Sequence, residues 1–189
     1  MDKLRLFVAI ELPGEVRRRL AEIEKELLAS GADVKWVPET NFHITLKFLG
    51  GVDADRVDAL TKAVESATEG VSTFDAAFAG VGAFPNVRRP NVVWVGIVSG
   101  GEEMKALAAR VDSALEKLGF AREERPFSAH VTIGRSRTGR NADKLRELIE
   151  KLVEAEAGSY RVEAVSVMES ELRPTGPIYS RIAELRLKS

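Results

Sequence analysis

Apolar positions along the chain recur at two spacings, every second residue or every third and fourth, with glycine or proline breaks between them. Leu4 to Leu12 alternates and then runs apolar, as a buried strand does, until Pro13 and Gly14 end it. Val16, Leu20, Ile23 and Leu27 then share one helical face, and Gly31 supplies the stop. Phe42 to Leu49 reads as a second strand, closed by Gly50 and Gly51. Asp53 is placed to cap a helix whose apolar face is Val57, Leu60 and Val64, and Phe74 to Phe84 reads as a third strand.

Beyond Asn86 to Asn91, which reads as an exposed basic loop, the order begins again. Strand Val92 to Val98 and the pair Gly100-Gly101 lead into a helix with Met104, Leu107, Val111, Leu115 and Leu118 on one face and Gly119 as its stop. Strand Ser128 to Gly134 follows, and Asn141 caps a helix carrying Leu145, Leu148, Ile149 and Leu152. Two strands near Tyr160 to Met168 and Tyr179 to Leu187 close the chain. The order strand, helix, strand, helix, strand thus occurs twice. Phe7 precedes His43 by 43 − 7 = 36 residues, and Trp94 precedes His130 by 130 − 94 = 36. Equal offsets predict an internal duplication, with halves at about 1–86 and 90–189 of one bilobal domain. The expected fold is α+β, with mainly antiparallel sheets.

The composition narrows this picture. The chain has 189 residues, 44% hydrophobic and 30% charged, with mean hydropathy −0.11, which is the profile of a globular domain with an adequate core. Cysteine is absent, which excludes disulfides and thiolate metal sites. The opening apolar run is too short for a signal peptide or a membrane span, so a cytoplasmic protein is expected. Glutamine is absent too, a bias met in heat-adapted proteins. The net charge of −1 removes the broad basic surplus expected of a duplex binder and leaves room only for a local basic site.

Candidate chemistry lies in the only two histidines. His43 in Phe42-His43-Ile44-Thr45-Leu46 and His130 in Ala129-His130-Val131-Thr132-Ile133 share the order apolar, His, β-branched, Thr, apolar. Strand alternation puts His43 with Thr45 on one face and Ile44 with Leu46 on the other, and the second motif does the same. A single His-x-Thr is most simply a hydrogen-bonded strand residue beside a β-forming threonine. Repetition at equivalent positions argues instead for two polar faces opposed across a cleft.

Two distant histidines, without cysteine or a carboxylate inside either motif, lack the usual spacing of a metal site, and no cofactor is implied. No Gly-x-Ser-x-Gly elbow supports a serine or threonine nucleophile. Two imidazoles suit in-line displacement at phosphorus, one taking a proton from the attacking oxygen and the other giving one to the leaving oxygen. The threonines suit phosphate oxygens.

His43-Ile44-Thr45-Leu46 and His130-Val131-Thr132-Ile133 resemble the paired motifs of the two-histidine phosphoesterase superfamily. The opening Arg5 to Ile10, Lys47-Phe48-Leu49-Gly50, Gly134-Arg135, Ser170-Glu171-Leu172 and Gly176-Pro177-Ile178-Tyr179 resemble one branch, the RNA 2′,3′-cyclic phosphodiesterases, first named 2′-5′ RNA ligases. The resemblance implies two lobes around a central cleft and opening of a terminal 2′,3′-cyclic phosphate to a 2′-phosphomonoester, with 2′-5′ joining as the reverse reaction. It implies His43 as proton donor to the departing 3′ oxygen, His130 as proton acceptor from water, and Thr45 and Thr132 as phosphate ligands. It also implies RNA ends or tRNA half-molecules as partners, with a monomer and no membrane or metal. A 2′-5′ oligoadenylate, an ADP-ribose cyclic phosphate or another cyclic nucleotide fits the same motifs, and so does a non-catalytic module that binds RNA ends.

Flanking residues extend the candidate site. Lys47 continues the alternation of His43 and Thr45 and is expected to offset phosphate charge in the cleft. Phe48, of opposite parity, is expected in the core. Strict alternation puts Arg135 on the face away from His130 unless the strand ends at Gly134, yet its planar fork suits phosphate. Tyr179 is a candidate to stack on a terminal base. Arg88, Arg89, Arg137 and Arg140 are candidates to guide an RNA backbone.

Overall fold

The computed structural model describes residues 2–189, and its framework is two antiparallel sheets. Strands β1 (Lys3–Glu11), β2 (Val34–Trp36), β3 (His43–Asp53), β4 (Phe74–Asn86), β5 (Arg89–Ser99), β6 (His130–Ser136), β7 (Glu156–Val162), β8 (Ala164–Arg173) and β9 (Gly176–Arg186) alternate with helices α1 (Gly14–Leu28), α2 (Val57–Thr68), α3 (Gly101–Glu116) and α4 (Ala142–Lys151). The first sheet runs in the order β3-β1-β8-β9 and the second in the order β2-β6-β5-β4-β7. The expected α+β fold with two antiparallel sheets is therefore present.

The apolar faces legible in the sequence make the core. Val16, Leu20, Ile23 and Leu27 of α1 are buried, as are Leu60 and Val64 of α2, Met104, Leu107, Val111 and Leu115 of α3, and Leu145 and Ile149 of α4. Burying each such side chain contributes roughly 1.5–3 kcal/mol. The helices do not stay with the strands they follow. α1 leaves the first sheet and packs with α4 on the second, while α3 leaves the second sheet and packs with α2 on the first. Each lobe therefore draws on both halves of the sequence, and one continuous core joins them.

Several expected boundaries move. The run Tyr160 to Met168 is not one strand, because β7 ends at Val162 in the second sheet and β8 starts at Ala164 in the first. Val162 is buried opposite Phe74, and the chain then crosses between sheets at Glu163. Asn86 to Asn91 is mostly strand, leaving a tight hairpin in which Asn86 Oδ1 accepts the amides of Arg88 and Arg89. Asp53 does not cap α2, since a 3-10 turn over Ala54–Arg56 intervenes. Asn141 does stand at the N-cap of α4, but in the left-handed region at φ 56°, and its side-chain amide donates to Gly31 O rather than capping the helix. The short edge strand β2 carried no legible signal. Gly134 is required beside it, because a β-carbon there would meet Trp36 and Val34 at 2.7 Å.

One feature of α1 works against stability. Glu24 Oε2 is buried without a hydrogen-bond partner, and burial pushes the carboxyl up to about 7. A carboxyl raised in the folded state lowers stability as pH climbs from its unfolded value of 4.5 to about 7, and the penalty persists above that. Solvent reaches part of the side chain, which reduces the penalty to about 1 kcal/mol. Glu24→Gln should therefore raise the melting temperature at pH 8 by roughly 2–4 °C and leave it unchanged near pH 4. Thermal unfolding at both pH values checks this, and an equal gain at both would rule out ionisation as the cause.

Candidate active site

Both histidines are the first residue of their strands, His43 of β3 and His130 of β6, and these two strands approach each other where the sheets meet. His43 Nδ1 lies 2.7 Å from the carbonyl of Asn41, and His130 Nδ1 lies 2.7 Å from the carbonyl of Ser128. A carbonyl only accepts, so Nδ1 carries the hydrogen in each ring and the lone pair of the neutral imidazole sits on Nε2. The same contact, two residues upstream, fixes both rings. Thr45 Oγ1 lies 2.9 Å from His43 Nε2 and donates to it when the ring is neutral.

Aromatic side chains hold the rings from below. Phe7 lies 5.0 Å from His43 between centroids, and Tyr179 meets His43 edge-on at 5.3 Å. Phe84 meets His130 edge-on at 5.0 Å and leans on Trp94 at 5.3 Å. Phe7, Ala9 and Met168, with Tyr179 against them, form a small apolar cluster separate from the main core. Burial lowers both histidines below their ordinary value, and the carbonyl bonds oppose that fall. The charge of His130 pushes His43 down further, and Arg135 depresses both, while Glu11 acts the other way on His43 alone.

A matched irregularity decides which other side chains reach the cleft. In β3 the register with β1 runs Thr45 opposite Ala9 and then Lys47 opposite Val8, which leaves Leu46 as an extra residue. In β6 the register with β5 runs Thr132 opposite Trp94 and then Gly134 opposite Val93, which leaves Ile133 extra. Each is a bulge three residues past its histidine, and each reverses the facing of the residues beyond it.

Two expectations fail for that reason. Lys47 does not face the cleft. It is 5% exposed on the core side, where Nζ donates to Asp112 Oδ1 at 2.5 Å and to the Ala121 carbonyl at 2.8 Å. Phe48 is not core. It is 64% exposed opposite Phe7, on the face that carries Thr45. The bulge at Ile133 brings Arg135, opposite Val92, onto the face of Thr132 and Trp94 although the strand runs on to Ser136. The structure thus gathers His43, Thr45, His130, Thr132, Arg135 and Tyr179, and leaves Lys47 out. Phe84 and Trp94 beneath His130 were missed as supports. The equal spacing of Phe7 and Trp94 from the histidines was their one signal.

Among the described residues, no group of three or more His, Cys, Asp or Glu side chains is placed to hold a metal ion, and no helix is long and apolar enough to cross a membrane.

Two opposed antiparallel sheets, each presenting a histidine and a threonine from an equivalent bulged strand, define a two-histidine phosphoesterase. The chain belongs to the LigT-like phosphoesterase family, whose model matches it twice, over residues 10–94 and 95–179. A relative from Methanothermobacter thermautotrophicus named RNA 2′,3′-cyclic phosphodiesterase is 40% identical, over 98% of this chain and 100% of its own length. One of the same name from Archaeoglobus fulgidus is 37% identical, over 93% of this chain and 96% of its own. The fold also matches the crystal structure of TT0787 from Thermus thermophilus, at TM-score 0.82 and 26% identity over 97% of this chain and 98% of that one. The Escherichia coli LigT structure with 3′-AMP superposes at TM-score 0.80 and 23% identity, with full coverage of both chains.

The placement of Lys47 makes a separable prediction. Lys47→Ala leaves Asp112 without its main partner under α3 and should lower unfolding free energy by about 3 kcal/mol. The remaining folded protein should keep its kcat on a cyclic phosphate within a few fold. Denaturant unfolding and kinetics on the same samples check the pair, and a large loss of kcat without loss of stability would return Lys47 to the reaction.

Proposed function

We propose that this protein hydrolyses the 2′,3′-cyclic phosphate at an RNA end to a 2′-phosphomonoester, by acid and base catalysis without a metal. The observation that carries this reading is the pair of imidazoles locked in one tautomer, with His130 Nε2 unpartnered and His43 Nε2 bonded only to the Thr45 hydroxyl. His130 Nε2 has no partner within the protein among the described residues, so it is free to take a proton from the attacking water. His43 Nε2 is bonded to Thr45. When substrate binds, the Thr45 hydroxyl turns from Nε2 to donate to a phosphate oxygen, and the Nε2–H of protonated His43 is left to go to the departing 3′ oxygen. This scheme has His43 as the acid and leaves His130 as the base. Thr132 and Arg135 face the same space and oppose charge building on the phosphate oxygens. Tyr179 and Phe48 border it as surfaces for the terminal base. The names carried by the relatives support the substrate class.

The direct test is incubation with a short RNA ending in a 2′,3′-cyclic phosphate, with chelator present, followed by identification of the product. The expected product is the 2′-phosphate. No turnover would refute the reading, and a 3′-phosphate would reverse the leaving group. His43→Ala and His130→Ala should each lower kcat by about 10² to 10⁴ or more. On a diester with a p-nitrophenyl leaving group, which departs without a proton, His43→Ala should recover most of its loss and His130→Ala should not. Recovery in the opposite variant would exchange the two roles.

The pH profile depends on the same contacts. The active form holds one proton on the pair, so kcat/KM is bell-shaped and centred midway between two macroscopic values. Both histidines lie below 6.5, so the centre should lie below 6.5 as well. Arg135→Ala removes a cause of depression from each, and should move the centre upward while reducing kcat/KM. A profile that stays in place would mean that Arg135 does not act on the histidines.

A further inference from the structure

Beyond the cleft, where β6 ends, lies a groove of about 310 Å³ between the β4–β5 hairpin and the turn leading to α4. Arg88 and Arg89 line one wall, Arg137 lines the other, and Asn91, Ser136 and Ala142 complete it. Among the described residues, none of these three guanidiniums makes an ion pair, unlike Arg161, Arg181 and Arg186. Both walls are held in shape by the backbone. Asn86 Oδ1 fixes the hairpin through the amides of Arg88 and Arg89, at 3.0 and 3.1 Å. Opposite, Thr138 donates to Asp33 Oδ2 at 3.0 Å, and the amide of Arg137 donates to the Asp33 carbonyl at 2.8 Å. Asp33 is thus engaged by the turn, and Asp143 at the start of α4 is paired with Arg146. Ala142, the first residue of α4, closes the end of the groove, and its amide donates to the Gly139 carbonyl at 3.2 Å.

The groove continues the line of catalytic residues. Thr132, Arg135 and Arg137 succeed one another along β6 and the turn after it, and the five steps from Thr132 to Arg137 span at most about 16 Å of extended chain. We propose that this groove binds the backbone phosphates of single-stranded RNA a few nucleotides upstream of the reacting end, so that the protein grips an oligomer at two places. The inference rests on the phosphodiesterase reading of the cleft. The chemistry that selects the ligand is a run of phosphates at chain spacing, met by unpaired guanidiniums carried on two walls whose backbones are held in place. A mononucleotide fills the cleft alone and gains nothing from the groove.

The test compares a nucleoside 2′,3′-cyclic phosphate with an RNA octamer carrying the same end, using wild type and a variant with Arg88→Glu, Arg89→Glu and Arg137→Glu. The milder Arg→Gln triple variant serves if the first proves unstable. On the mononucleotide, kcat/KM should stay within about twofold. On the octamer it should fall at least tenfold. The slope of log affinity against log salt should flatten by roughly 2, at about 0.7 for each phosphate that the variant no longer neutralises. Affinity is read by fluorescence anisotropy with an octamer ending in a 3′-phosphate, so the groove is tested even if neither cyclic phosphate is turned over. Unchanged octamer affinity and salt slope would overturn the proposal. Equal losses on the octamer and the mononucleotide would also overturn it, because the arginines would then be acting through the cleft.

Discussion

Each imidazole is fixed by a bond from Nδ1 to a carbonyl two residues upstream, and the site depends on that constraint. The bond is available because His43 and His130 open their strands, so the carbonyls of Asn41 and Ser128 lie before the ladder begins. It selects the tautomer, directs Nε2 to the cleft, and lets Phe7, Tyr179 and Phe84 close around the rings with each Nδ1 satisfied. The aromatic packing carries an electrostatic consequence. Burial disfavours the charged ring more than the carbonyl favours it, and Arg135 adds to the fall, so the empty site holds its proton weakly. A bound phosphate anion between the rings acts in the opposite sense and supports the protonated form that catalysis needs. On the proposed mechanism the site gains its acid when substrate arrives.

Much of this arrangement was legible in the chain. Two His-x-Thr motifs at matched offsets pointed to the two histidines that the sheets bring near each other, and the period of the apolar residues placed the faces of all four helices. What the sequence concealed was the bulge. Alternation is a rule about uninterrupted pairing, and one extra residue at Leu46 or Ile133 reverses it without changing the pattern of apolar and polar letters, because both extra residues are themselves buried and apolar. Lys47 and Phe48 exchange sides on that account, and Arg135 joins the cleft. The facing of all three is set by their position relative to a backbone irregularity. The carbonyls of Asn41 and Ser128 were equally hidden, since a backbone acceptor leaves no signature in residue type.

The duplication was legible as a sequence feature but not as a spatial one. α1 and α3 each cross to the opposite sheet, and the run Tyr160 to Met168 is divided between sheets at Glu163. Periodicity cannot report this, because a helix face shows that it is buried and not against which strand. The exchange has a mechanical consequence. Lys47 of β3 is tied to Asp112 of α3 and to the Ala121 carbonyl, in the segment that leads to His130. The strand that positions the first histidine is therefore anchored to the approach of the second. Helices exchanged between the two sheets resist their sliding past each other, and the acid and base pair proposed for the cleft depends on that rigidity.

The charge distribution separates two tasks that net charge conceals. With 28 basic and 29 acidic residues, the chain has no long-range attraction for a polyanion. Attraction instead depends on where carboxylates are missing. Around β8 and β9, Arg173, Arg181 and Arg186 are each held by glutamates and offer little to a ligand. Around β6 and the β4–β5 hairpin, Arg88, Arg89, Arg135 and Arg137 make no ion pairs among the described residues. Released counterions scale with the phosphates contacted and not with total charge, so a near-neutral protein can still have a salt-dependent grip on RNA, provided its free cations are few and aligned. Their alignment with β6 ties that grip to the strand bearing His130, and a chain held along this line delivers its end to the acid and base in one orientation.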